Sequence, residues 1–113
     1  MSNIWVDKEG NSLYDRISWV IIDEGATSIG VSAFANFVMI SNVTVPKTME
    51  EISGSAFQKD RAGNLRSVTF LGDAPVGAEG VIYCMEDGGT VYYSGSGFDN
   101  LIEKYTEINW VKQ

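Results

Sequence analysis

The reactive side chains of this sequence are one cysteine, Cys84, a serine-glycine run at Ser94-Gly95-Ser96-Gly97, and scattered carboxylates; the chain contains no histidine. That absence removes Ser-His-Asp and Cys-His catalysis, histidine-bound zinc and the commonest general base near neutral pH. A nucleophilic Cys84 would need a cation or a helix N-terminus beside it, whereas its neighbours are Tyr83, Met85, Glu86 and Asp87. A buried or half-buried thiol is the expectation. The Ser94–Gly97 run precedes a helix-like segment in the manner of an anion-binding loop, but no lysine follows and Asp99 stands where a phosphate would sit. The run reads as a helix cap. Asp60 and the Asp87-Gly88-Gly89 turn lack the alternating acidic ligands of a calcium loop. No enzyme chemistry, cofactor or metal is therefore expected.

What remains is a set of side chains suited to contact. Short strands are predicted around Val20, Val43, Val68 and Val91, and the residues alternating with those valines face outward: Trp19, Ile21 and Asp23, then Asn42 and Thr44, then Ser67, Thr69 and Leu71, then Thr90 and Tyr92. Trp and Tyr are enriched at binding hot spots. Trp19, Ile21, Thr44, Thr69 and Tyr92 are the expected partner-binding residues, spanning about 14 Å at the usual strand spacing. A face of that kind suits a protein or an extended polymer better than a metabolite, which prefers a concave apolar pocket.

The elements that must position this face come from a repeat. Val20, Val43, Val68 and Val91 are separated by 23, 25 and 23 residues, and Ile22, Val45, Phe70 and Tyr93 follow each of them by two. Ile29 and Ile52, and Ala33-Phe34 and Ala56-Phe57, also recur at 23 residues; Ile17, Ile40 and Leu65 form a further expected ladder. A fixed period in this range marks a solenoid whose units bury their apolar faces against neighbours. The extra residues of the second unit fall in the polar Gln58–Asn64 loop, and the third unit is degenerate, with Gly77 where Ile52 would recur and Val81-Ile82 in place of Ala56-Phe57. Phe34, Phe57 and Ile82 are expected to stack on the wall opposite the strands. Phe98, Leu101, Ile102 and Tyr105 lie on one face of a short helix with Ser96 as its expected N-cap, and Ile108 and Trp110 add an apolar tail.

Composition bounds the rest. A 113-residue chain with 44% hydrophobic residues fits one domain, expected as an N-terminal strand cap over 1–17, repeats over 18–93 and a C-terminal helix cap over 94–113. The net charge of −7 opposes phosphate backbones and anionic membranes, so nucleic-acid binding and membrane insertion are not expected. A single cysteine excludes an internal disulfide and leaves the compartment open. Met1–Gly10 shows no export signal, and Asn42-Val43-Thr44 matches the N-glycosylation pattern only inside a predicted strand.

The pattern of Val-x-Ile/Val, Ile-Gly, Ala-Phe and Ile/Leu resembles the BspA-type, or Treponema-type, leucine-rich repeats. Val43-Thr44-Val45-Pro46 through Met49-Glu50-Glu51-Ile52-Ser53-Gly54-Ser55-Ala56-Phe57 carries the resemblance most fully, and Leu65–Pro75 and Tyr92–Trp110 resemble the last repeat and C-terminal cap of such arrays. The resemblance covers about Ile17 to Trp110. It implies an α/β solenoid of about three units with a parallel sheet on one face, in a family of surface and secreted proteins of bacteria, protists and viruses associated with adhesion and protein binding. A fragment of a longer chain and a small free-standing protein both fit so short an array. The expected function is a non-enzymatic interaction or adhesion module, oligomeric or part of a larger assembly, because one short array offers limited contact area. The alternative is a small phage- or virus-encoded effector or virion component whose acidic surface binds a basic host protein.

Overall fold

The computed structural model describes residues 19–30, 33, 40–53, 56 and 65–113. The expected N-terminal cap, Ile17, the stacked Phe34 and Phe57, and the Gln58–Asn64 loop lie outside the described residues.

Among the described residues nine elements follow one another: β1 (Trp19–Ile21), β2 (Ser28–Ile29), β3 (Asn42–Val45), β4 (Glu51–Ile52), β5 (Leu65–Phe70), α1 (Ala78–Tyr83), β6 (Met85–Tyr93), α2 (Asp99–Lys104) and β7 (Asn109–Lys112). The fold is an α/β domain built on a parallel sheet of five strands in the order β1-β3-β5-β6-β7. Its register is the sequence period made physical: Val20 pairs with Val43, Val43 with Val68, Val68 with Val91, and Val91 with Trp110. The C-terminal tail is therefore a fifth strand and not only a lid. Val43, Val68 and Val91 are buried, as are Val45 and Phe70 in the next inward row. β-branched side chains suit this position, since they pack on the pleated surface without losing further rotamers.

A second wall forms where the sequence shows only Ile29 and Ile52. β2 and β4 pair in parallel, Ile29 against Ile52, and Glu51 bridges to Val76. Backbone bonds run from Ser53 N–H to Ile29 O at 2.9 Å and from Ile52 N–H to Val76 O at 2.7 Å. Ile29, Ile40, Met49, Ile52, Ala56, Leu65, Val81 and Ile82 fill the space between the walls, and no polar or charged residue is buried among the described residues. The expected burial of Ile82 holds.

Two local expectations change. Gly88 and Gly89, read as a loop, lie inside β6, which accommodates them by a register shift opposite Leu65 and Ser67 and by a left-handed Gly88 (φ 84°). Ser96 is not the cap of α2: its backbone N–H and hydroxyl both bond Asp73 Oδ1, and Phe98 takes the N-cap position without a side-chain bond. Burial explains this outcome. Phe98 is 2% exposed, with ring centroids 5.1 Å from Phe70 and 5.2 Å from Tyr93, so aromatic packing fixes where the helix starts.

Gly77 shows why the third unit departs from the pattern. It stands beside Ile52 with φ 86°, and a Cβ there would meet Ile52 O at 1.7 Å. Isoleucine cannot occupy the position. Gly88 has a similar φ but open space around it. Gly77→Ala is accordingly expected to cost more than about 2 kcal/mol and Gly88→Ala about 1 kcal/mol, the backbone strain alone. Equal losses for the two in urea denaturation would contradict the close approach.

Candidate functional site

The sheet register carries the predicted contact residues into rows. Ile21, Thr44, Thr69, Tyr92 and Val111 lie side by side on the five strands, and Trp19, Asn42, Ser67, Thr90 and Asn109 form the parallel row two residues earlier. All five expected residues thus share one face, with Trp19 in the second row at the same edge strand as Ile21. Val111 and Asn109 extend the face by one strand, to about 19 Å at the usual spacing. That strand lies off the repeat, because Trp110 follows Val91 by 19 residues and not 23.

Trp19 and Ile21 are 67% and 69% exposed, Leu71 is 47% and Val111 41%, whereas Thr44, Thr69 and Tyr92 are half-buried by their neighbours. The face is apolar at both ends and small and polar in the middle. There Ser41 Oγ donates to Asn42 Oδ1 at 2.7 Å and Asn42 Nδ2 donates to Ser67 Oγ, so the amide is held before any partner arrives. Asn109 Nδ2 donates to Gly88 O at 2.9 Å on the other side. An exposed Arg66–Glu86 pair at 2.9 Å borders the rows. Exposed pairs of this kind orient side chains more than they stabilise.

A second feature lies between α1 and α2, a shallow groove of ≈ 640 Å³ lined by Gly77, Glu79, Gly80, Tyr83, Lys104, Tyr105 and Glu107. Lys104 Nζ donates to Glu79 Oε2 at 2.6 Å, and Tyr105 Oη donates to the same oxygen at 3.1 Å. The hydrogen bond from Lys104, then that from Tyr105, holds the Glu79 carboxyl below its ordinary 4.5. The same contact raises Lys104 above 10.5, and burial followed by the bond to Glu79 raises Tyr105 above 10.0. Each group moves away from neutrality, the opposite of what acid-base catalysis uses. The triad is a clasp between the two helices. Cys84, on the turn after α1, is half-buried and its Sγ lies 3.2 Å from Gly80 O.

Among the described residues, no group of three or more His, Cys, Asp or Glu side chains is placed to hold a metal ion. No helix among them is long and apolar enough to cross a membrane. No family model matches the chain, and no curated protein or solved structure matches it.

The clasp predicts a pH dependence of known sign. Because the folded Glu79 carboxyl titrates below 4.5, its contribution is complete above that pH and is lost as pH falls through the lowered folded value. Between neutrality and strong acid, wild type should lose more thermal stability than Glu79→Gln, which has no proton to take up at this site. Parallel melting curves for the two would show that the clasp adds nothing.

Proposed function

We propose that this protein is a non-enzymatic binding module that docks a protein surface or an extended polymer against the outward face of its five-stranded sheet. One observation carries the reading. Purely parallel sheets are as a rule covered on both faces, yet Trp19, Ile21, Leu71 and Val111 stand exposed on this one. Large exposed apolar side chains gathered on one face mark interaction sites, and a tryptophan and a tyrosine among small polar residues are typical anchors.

The 23- and 25-residue spacing supports a finer reading, in which a strand of the large sheet and the segment that returns along the second wall together make one turn of a short solenoid resembling the BspA-type leucine-rich repeats. On that reading the strand-lined face is the adhesive one. Docking is steric and apolar in the rows, and the net charge of −7 favours a basic or neutral partner over a phosphate backbone.

The test begins with a partner captured from host lysate by the wild-type chain, whose affinity is then measured for variants. Trp19→Ala and Tyr92→Ala are each expected to weaken it by at least about 1 kcal/mol, roughly fivefold, while melting as wild type does. Wild-type affinity in both variants would place the site elsewhere on the molecule.

A further inference from the structure

Among the described residues, the last strand of the sheet is open on one side. Among the described residues β7 pairs with β6 alone. Glu107 O accepts from Gly88 N–H and Gln113 N–H donates to Tyr93 O, so the odd-numbered residues of this segment turn their backbone groups toward β6. Since backbone groups alternate along a strand, Trp110 and Lys112 turn N–H and C=O away from the sheet. We propose that this edge is a dimerisation site, where β7 pairs antiparallel with β7 of a second copy of the chain about a two-fold axis at Val111.

The edge is complementary to itself in that register. Trp110 exchanges both of its outward backbone bonds with Lys112 of the partner subunit, and the axis repeats the exchange, which satisfies every outward group of the two residues. On the outer face Val111, 41% exposed, meets its own copy in the close, non-hydrogen-bonded position. Asn109 falls opposite Gln113 of the partner subunit; its Nδ2 is already held by Gly88 O, which leaves its Oδ1 to accept from the glutamine amide. On the inner side Lys112 lies beside Trp110 of the partner subunit. That indole is fixed, edge-on to Tyr93 at 6.1 Å and donating through Nε1 to Tyr105 O at 3.1 Å, so it offers a set ring to the ammonium.

Lys112 also selects this arrangement over open-ended growth. It ends an inward row that otherwise reads Val45, Phe70 and Tyr93. A further parallel strand continuing that row would lay an apolar side chain over the ammonium, a common guard against edge-to-edge assembly. The two-fold pairing escapes the guard because lysine meets tryptophan and not the next apolar residue. It joins the row Ile21, Thr44, Thr69, Tyr92 and Val111 to its own reverse, giving one outward face of ten strands. A four-residue edge buries less than the roughly 800 Å² per partner of a standard interface, so the dimer is reversible and concentration-dependent.

The pairing does not depend on what the outer face binds, and its test reads mass and cross-linking alone. In sedimentation equilibrium from about 1 μM to about 1 mM, the wild-type mass is expected to rise toward twice the 12.4 kDa of one chain. Lys112→Pro removes an outward N–H and none that faces β6, so it should remain monomeric with wild-type melting. In a Cys84→Ser background, Val111→Cys should cross-link on oxidation, because residues facing each other in this position lie within disulfide reach, and Asn109→Cys should not. A wild type that stays monomeric throughout overturns the proposal. So does a dimer cross-linked as readily through Asn109→Cys as through Val111→Cys, whatever the fate of the proline variant.

Discussion

The structure depends on one constraint: the parallel register in which Val20, Val43, Val68, Val91 and Trp110 stand side by side. A one-residue slip in any strand would turn its valine to solvent and an outward threonine, serine or asparagine into an apolar core. The core contains no buried polar or charged group that could compensate among the described residues, so the penalty of a slip falls on every row at once. With that register fixed, the chain must return to the start of the next strand each time. The return passes through Ile29, Ile52 and Val76, whose backbone bonds form the second wall.

The same constraint explains where variation is tolerated and where it is not. Corners between the walls repeat one device with different residues: Thr48 Oγ1 accepts from Gly25 N–H at 2.9 Å and donates to Ala26 O at 2.8 Å, while Asp73 Oδ1 accepts from Ser96 N–H at 2.9 Å. In each case a side chain ties down the backbone of a segment 22 or 23 residues away in sequence. Within the walls the room is far tighter, as Gly77 against Ile52 shows. The outward rows answer to neither demand, and that freedom is what lets them carry a large exposed tryptophan and isoleucine beside small polar residues.

Much of this was readable before the structure, because burial on one side of a strand writes a strong period. The four valines and the residues two positions behind them locate β1, β3, β5 and the end of β6, and alternation alone puts Trp19, Ile21, Thr44, Thr69 and Tyr92 on one face. The unread parts share a physical reason. β2 and β4 have two residues each, too few for alternation to show. α1 is six residues with Gly80 inside it, too short for a helical stripe. β7 lies off the period, its Trp110 following Val91 by 19 residues where the valines are 23 or 25 apart, so the repeat does not announce it. Ser96 has the residue type and position of a helix cap, but its partner, Asp73, lies 23 residues away, beyond the reach of local capping patterns.

The register is open to direct measurement in solution. Cross-strand nuclear Overhauser contacts of the parallel type should connect Val43 with Val68, Val68 with Val91, and Val91 with Trp110, and the amides of Val111 and Gln113 should exchange more slowly than those of Trp110 and Lys112 in the monomer. Contacts linking Val91 to Val111 or to Asn109 in place of Trp110, or an antiparallel pattern between any of these strands, would contradict the arrangement on which both the outward face and the open edge rest.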